Sequence, residues 1–129
     1  MPRRHEDWLA QAERDLKAAR DSLSSGNYEW AAFQAQQAAE KALKALLQYF
    51  NQETREHSVV HLLQQAHLSV ELPQGLIAAA QELDRHYIQS RYPNGFPAGY
   101  PGEYYGDKLA ARCIDYAREI LDFVKGVIG

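Results

Sequence analysis

Apolar residues recur along most of this chain at steps of three and four, the spacing that places side chains on one face of an α-helix. The first such segment runs from Arg3 to Ser24, with an apolar stripe of Trp8, Ala12, Leu16, Ala19 and Leu23. Its other face is polar, and Glu13 and Lys17 have a favourable i,i+4 spacing there. The run Ser-Ser-Gly-Asn predicts the end of this helix, with Asn27 as the N-cap of the next.

The segment from Tyr28 to Phe50 has the strongest helical pattern, because it is rich in the good helix formers Ala, Gln, Leu, Glu and Lys. Small residues on one side would let a neighbouring helix approach closely. They are Ala31, Ala35, Ala38, Ala42 and Ala45, followed by Leu46. Further apolar residues lie on another face, namely Ala32, Phe33, Ala39 and Leu43. A helix that is apolar around most of its girth should be covered there, which favours a homodimer.

The rest of the chain predicts three more helices and no strand. A short helix over 58–67 would bury Val59, Leu62, Leu63 and Ala66. A longer one over 73–89, with Pro73 as its first residue, would bury Leu76, Ile77, Ala80, Leu83, Tyr87 and Ile88. The last helix, capped by Asp107 and ending near Ile128, has a stripe of Leu109, Cys113, Tyr116, Ile120, Phe123 or Val124, and Val127.

These elements predict an all-α fold, an up-and-down helical bundle of four long helices plus one short helix. With 129 residues the chain fits a single domain over 1–129, and 46% apolar residues are enough for a real core. The net charge of −3 argues against a protein that coats nucleic acid non-specifically, although a local basic patch remains open. The single cysteine, Cys113, excludes an internal disulfide and is interpreted as inert core.

Neither a signal peptide nor a membrane span is predicted, because no long apolar run exists. We therefore expect a cytoplasmic protein.

The region 90–106 is rich in Gly and Pro and predicts a long loop, of a length that is usually functional or disordered. It contributes most of an expected aromatic cluster, for which a subunit contact is favoured over a substrate pocket: Tyr87, Tyr92, Phe96, Tyr100, Tyr104 and Tyr105. Trp8 and Trp30 are interpreted as packing residues.

Several short motifs occur in a recognisable order. They are Trp8 with Asp15-Leu16 and Ala18-Ala19, Tyr28, Ala31-Ala32-Phe33, the run Gln36-Gln37-Ala38-Ala39-Glu40-Lys41-Ala42-Leu43-Lys44-Ala45, His57-Ser58-Val59 with Leu62-Leu63, and Arg91-Tyr92-Pro93. Together they resemble the HEPN domain family, the "higher eukaryotes and prokaryotes nucleotide-binding" domain, over roughly residues 6–127. The resemblance implies a helical bundle that commonly dimerises. It also implies a small nucleotidyltransferase as partner, in prokaryotic pairs thought to act as toxin and antitoxin.

The resemblance also implies an alternative enzymatic function, because a broad branch of HEPN proteins are metal-independent ribonucleases in which four to six residues separate an Arg from a following His. Arg would stabilise the phosphorane charge and His would move the proton of the 2′-hydroxyl. Arg55 and His61 have this spacing, with five residues between them. They are weak catalytic candidates, because they precede the short third helix and the family motif falls near the start of a late helix. No His follows Arg91 at that spacing.

The candidate ligand-binding residues are Arg91, Tyr92, His57, Lys41 and Lys44. Arg91 could bind an anion while Tyr92 offers an aromatic face to a base or ribose. Alternatively, Arg91 pins the loop to a carboxylate of the bundle, such as Asp84 or Glu40. The two lysines could contact phosphate or belong to a solvated helix face, with Glu40 and Lys44 as an i,i+4 pair.

His57 and His61 share a helix face, as a metal clamp would, but no third ligand is apparent and no metal or cofactor is expected. Three functions follow from the sequence. The first is a HEPN-like module that binds a nucleotide or a nucleotidyltransferase partner. The second is a metal-independent endoribonuclease toxin, and the third is a structural interaction dimer.

Overall fold

The computed structural model describes residues 4–129 and contains no strand within that range. Three long helices dominate it: α1 (Arg4–Ser24), α2 (Tyr28–Tyr49) and α7 (Asp107–Ile128). Between α2 and α7 lie α3 (Val59–His67), α4 (Leu76–Asp84), α5 (His86–Gln89), a 3₁₀ turn (Pro93–Gly95) and α6 (Pro101–Tyr104). The predicted all-α bundle is confirmed, although Arg3, the predicted start of the first helix, lies outside the described residues.

Helix α2 is the centre of the bundle and contacts α1, α7, α3 and α4. Its alanines are fully buried, namely Ala31, Ala32, Ala35, Ala38, Ala39, Ala42 and Ala45. They leave room for the larger core side chains of the neighbouring helices, which include Leu16, Leu62, Leu83, Ile120 and Val124. The apolar faces of α2 are therefore covered by other helices of the same chain. The apolar pattern of α2 thus no longer argues for a homodimer.

The predicted helix over 73–89 starts later than expected and is broken at Arg85. It begins at Leu76, because Gly75 precedes it with φ +88°, a left-handed conformation that stops a helix from starting at Pro73. At Arg85 the backbone N–H donates to the carbonyl of Glu82, three residues back, and the chain turns into the separate helix α5. As a result Ile88, predicted to be core, is half exposed.

Two predicted helix N-caps differ from those in the structure. Asn27 does precede α2, but its side chain caps nothing and donates instead to Ser25 Oγ at 3.2 Å. Asp107 is the first residue of α7 rather than its cap, and Gly106 precedes it. The predicted loop over 90–106 contains the 3₁₀ turn and α6, each with a proline among its first residues. Cys113 is buried, and this burial raises the pKa of its thiol to about 12, in keeping with an inert core cysteine.

Candidate functional site

Arg91 follows α5 and is held by aromatic rings rather than by a carboxylate. Its guanidinium carbon lies 4.3 Å from the ring centre of Phe33, 4.8 Å from that of Tyr87 and 5.2 Å from that of Tyr92. Nε and Nη2 both donate to the carbonyl of Tyr87, at 2.9 and 2.7 Å. Within residues 4–129 no ion pair includes Arg91. The side chain is therefore a half-buried cation whose position is fixed and whose charge is not neutralised.

His57 belongs to the same group, because its ring stacks on Tyr87 with 5.6 Å between centres and 16° between planes. Phe33 completes the group on α2, with its ring centre 6.2 Å from that of Tyr87. We call Phe33, His57, Tyr87, Arg91 and Tyr92 the aromatic–arginine cluster. It gathers residues of α2, α5 and the two segments that flank α3–α5. His57 and Arg91, separate in the sequence, both lie within 5.6 Å of one ring centre.

The carboxylate of Glu40 lies beneath His57 and is buried. Its Oε2 lies 2.9 Å from Lys44 Nζ and 3.2 Å from His57 Nδ1. Gln36 and Gln37 approach Oε1 at 3.5 and 3.4 Å, and Gln36 also donates to the carbonyl of His57. The Gln-Gln-x-x-Glu sequence of α2 thus forms a buried polar network that fixes the segment ahead of α3.

Asp84 fixes the start of α3 from the end of α4. Its carboxylate accepts hydrogen bonds from Ser58 Oγ, Val59 N and Val60 N at 2.8–3.0 Å. A carboxylate is favoured at this position by the unpaired N–H groups and by the helix dipole. Asp84 and Tyr87, together with residues 56–58, line an open cleft of about 280 Å³ beside His57.

The predicted structural partners of Arg91 are wrong. Glu40 and Asp84 are each occupied by the hydrogen bonds just described, and neither reaches the guanidinium. The predicted i,i+4 pair of Glu40 and Lys44 exists, but it is buried rather than part of a solvated face. Lys41 points the other way and pairs with Asp15 of α1 at 2.6 Å. Both candidate lysines therefore have a carboxylate partner within the bundle.

Arg55 and His61 have the spacing of the ribonuclease motif, but no hydrogen bond or ring contact joins them in the described part of the chain. Arg55 lines a second open cleft of about 490 Å³, with Trp8, Gln48 and residues 53–54. His61 Nδ1 lies 3.3 Å from Glu56 Oε2. Hydrogen bonds from the backbone N–H groups of Ser58 and His57, the former contributing more, hold the pKa of the Glu56 carboxyl below its ordinary value. His57 and His61 thus face different carboxylates, and no group of three potential metal ligands occurs in residues 4–129.

The expected aromatic cluster is divided among three places. Tyr87 and Tyr92 belong to the aromatic–arginine cluster, while Phe96 stacks on Tyr104 with 4.2 Å between ring centres. Tyr105 is buried and its hydroxyl lies 2.7 Å from His86 Nδ1. Trp30, interpreted as a packing residue, is 47% exposed.

Phe33 and Tyr87 are site residues that the sequence analysis did not identify. The i,i+4 spacing of Tyr87 and Arg91, which brings side chains together on a helix, is the signal that could have identified Tyr87.

Comparison with known proteins assigns this all-α bundle to one class of domain. The family model of the HEPN domain matches residues 5–127. The chain belongs to the HEPN family, which confirms the resemblance inferred from its motifs. No helix within residues 4–129 has the length and apolar character needed to cross a bilayer.

Several relatives align over nearly the whole chain. TT1696 from Thermus thermophilus is 42% identical, with a TM-score of 0.94 over 97% of this chain and 98% of that one. ST0689, an archaeal HEPN homologue, is 46% identical, with a TM-score of 0.83 and full coverage of both chains. A Methanocaldococcus jannaschii protein named "Putative toxin MJ1304" is 26% identical over 127 residues, covering 92% of this chain and 84% of the relative.

Proposed function

We propose that this chain is the HEPN component of a toxin–antitoxin-type pair that works with a small nucleotidyltransferase partner. Within it, Arg91, with Tyr92 and His57, binds a phosphate group of a nucleotide. The observation that carries the proposal is the guanidinium of Arg91, which is fixed against three rings and has no carboxylate partner within residues 4–129. Arginine presents a planar fork of donors to phosphate, and Tyr92 is exposed enough to contact a base or ribose. The name of the M. jannaschii relative supports the toxin–antitoxin setting.

Lys41 and Lys44 are left out of the proposed phosphate site. Their carboxylate partners, Asp15 and Glu40, lie within 3 Å of the two ammonium groups. A phosphate group would have to displace a carboxylate to reach either lysine, whereas it can approach Arg91 without displacing one. The proposed site therefore consists of residues from the aromatic–arginine cluster alone.

The test is the melting temperature with inorganic phosphate and with adenosine monophosphate. A ligand that binds only the folded chain raises the melting temperature by mass action. We expect a rise for the unmodified protein and none for Arg91→Ala. Arg85→Ala is the matched control, because Arg85 is an exposed arginine six residues earlier that pairs with Glu82 at 3.4 Å. No rise for the unmodified protein with either ligand, or an equal rise in both variants, would contradict the site.

The proposal includes a homodimer, supported by large apolar side chains that α2, α5, α6 and the residue before α6 leave exposed. We call Trp30, Ile88, Tyr100 and Tyr104 the aromatic surface; each is 47–59% exposed. A Cβ added at Gly102 would lie 3.3 Å from the Tyr100 ring and 3.4 Å from the Glu29 carboxylate, so Tyr100 lies beside the first turn of α2. Large exposed apolar patches usually mark contacts with other molecules.

Metal-independent cleavage of RNA is a second candidate function, favoured by one observation. His57 is exposed, contacts a buried carboxylate through Nδ1 and shares the ring of Tyr87 with Arg91. A histidine with an oriented ring and a nearby cation are the groups that this cleavage needs. Incubation with total RNA and chelator tests it. Cleavage lost in His57→Ala and Arg91→Ala but kept in His61→Ala and Arg55→Ala would support this pair, and the opposite pattern would support Arg55 and His61.

A further inference from the structure

The environment of Glu40 determines its charge state. Four groups surround its carboxylate: the side-chain amides of Gln36 and Gln37 at Oε1, and Lys44 Nζ and His57 Nδ1 at Oε2. The amide nitrogens and the ammonium can only donate hydrogen bonds. None of these contacts would use a proton on the carboxyl group, and the ammonium of Lys44 supplies a counter-charge at 2.9 Å. The arrangement therefore suits an ionised carboxylate, which accepts at both oxygens.

An ionised Glu40 determines which nitrogen of His57 carries hydrogen. Nδ1 lies 3.2 Å from Oε2, and a carboxylate oxygen accepts but does not donate, so Nδ1 must be the donor. In neutral imidazole only one ring nitrogen is protonated, and the hydrogen bond made by one nitrogen decides the state of the other. Nε2 is then left with a free lone pair.

The surroundings of His57 leave its ring accessible. The ring is stacked on Tyr87, and its side chain is 59% exposed even though Glu40 is only 4% exposed. His57 also lines the open cleft with Glu56, Ser58 and Asp84. One edge of the imidazole is thus engaged with a buried group, while the ring remains open to molecules that enter the cleft.

We infer that Glu40 is a positioning residue that holds neutral His57 as the Nδ1–H tautomer, so that Nε2 is the nitrogen that exchanges protons and bonds a ligand. In this tautomer Nε2 accepts a hydrogen bond from a hydroxyl group in the cleft, whereas protonated His57 would instead donate Nε2–H to a phosphate oxygen. In both cases Nδ1–H remains the donor to Glu40. Only the identity of the ligand, a phosphate group, rests on the proposed function.

Lys44 has the complementary role of balancing the charge of Glu40. Its side chain is 9% exposed, and its ammonium lies 5.5 Å from the ring centre of Trp8. Removing Glu40 alone would leave a buried ammonium without a partner, which is strongly destabilising. A variant without Glu40 is therefore best made together with Lys44→Met.

Nuclear magnetic resonance of the ¹⁵N-labelled ring nitrogens tests the inference, at a pH where His57 is neutral. We expect the Nδ1–H tautomer in the unmodified protein. In the double variant Glu40→Met with Lys44→Met we expect this tautomer to be lost in favour of Nε2–H. The double variant removes both members of the buried pair, so neither charge is left alone in the core. Glu56→Gln is a control, because Glu56 pairs with His61 and not with the ring of His57.

Two results would overturn the inference: the Nε2–H tautomer in the unmodified protein, or persistence of Nδ1–H in the folded double variant. If the double variant does not fold, the spectrum of the unmodified protein decides alone. Titration with inorganic phosphate separates this inference from the proposed function. A correct tautomer whose Nε2 signal does not respond to phosphate rejects the phosphate site and leaves the role of Glu40 intact.

Discussion

The hydroxyl group of Tyr105 lies 2.7 Å from Nδ1 of His86, and both side chains are buried. This contact joins the residue after α6 to the first residue of α5 and so closes the loop between them. His86 Nε2 has no hydrogen-bond partner within residues 4–129, and the nearest carboxylate oxygen, of Glu82, is 3.7 Å away. Burial lowers the pKa of His86 and raises that of Tyr105. Neutral His86 therefore accepts a hydrogen bond from the Tyr105 hydroxyl at Nδ1.

The lowered pKa of His86 predicts that the protein loses stability in mild acid. Between this pKa and the ordinary value of about 6.5, the unfolded chain binds a proton that the folded chain does not, so the free energy of unfolding rises with pH. The contribution of His86 is complete above about pH 6.5 and is lost as the pH falls through this window. Glu82 opposes the shift, while Arg85 and Arg112 add to it.

Urea unfolding at about pH 7.5 and about pH 5.5 measures this effect. We expect the unmodified protein to lose more stability between the two pH values than His86→Gln does, because glutamine cannot titrate. The comparison removes the contributions of the other histidines, which both proteins share. Equal losses in the two proteins would show that His86 does not titrate as expected.

Tyr105→Phe should destabilise the protein by about 1–3 kcal/mol, because it leaves buried Nδ1 of His86 without a donor. Urea unfolding measures the change. Tyr104→Phe is the matched control, since it removes the hydroxyl of an exposed tyrosine that donates to the carbonyl of Ala98. A loss as small as that of the control would contradict the importance of the buried bond.

Asp84→Ala should cost about 2 kcal/mol, because it removes a charged acceptor of three hydrogen bonds at the start of α3. Amide hydrogen exchange should also become faster at Val59 and Val60. Asp115→Ala is the control: Asp115 is exposed on α7 and lies 3.7 Å from Arg118. The prediction is wrong if both variants have the same stability.

The homodimer should be visible by sedimentation at micromolar concentration as a species of about twice the 14.7 kDa chain mass. Trp30→Ser with Tyr100→Ser should shift the protein towards monomer, since it removes two rings of the aromatic surface. Leu68→Ser removes an apolar side chain that is 84% exposed but lies after α3, outside this surface, and should leave the dimer intact. A strictly monomeric unmodified protein would refute the homodimer.

The sequence predicted α1, α2 and α7 well, because each helix has many turns and apolar residues recur in every turn. It was a poorer guide to 73–89, where the same periodicity continues across two breaks. These breaks depend on the backbone of Gly75 and on the i→i+3 bond at Arg85, which leave no trace in the apolar pattern. The choice between Phe123 and Val124 also needed the structure, in which Val124 is the buried one.

The candidate site was less accessible to prediction, since its contacts join residues far apart in the chain. Arg91 and His57 were identified as candidates, but their partners Phe33 and Glu40 lie in a different element, α2. Helical spacing predicted the pair of Glu40 and Lys44 but not its burial, which involves His57 beside Glu40 and Trp8 of α1 beside Lys44. The local sequence thus indicates which chemical groups a site contains, whereas the partner of each charged group depends on tertiary packing.

The position of α7 has a consequence for biosynthesis. This helix packs against both α1 and α2, and its buried stripe, which includes Cys113, Ile120 and Val124, forms one side of the core. While the chain emerges from the ribosome, α1 and α2 can pair first, since they are neighbours in sequence. The face of α2 that α7 covers stays open until the last helix has been made. During that interval the nascent chain exposes the apolar surface that chaperones recognise and that promotes aggregation.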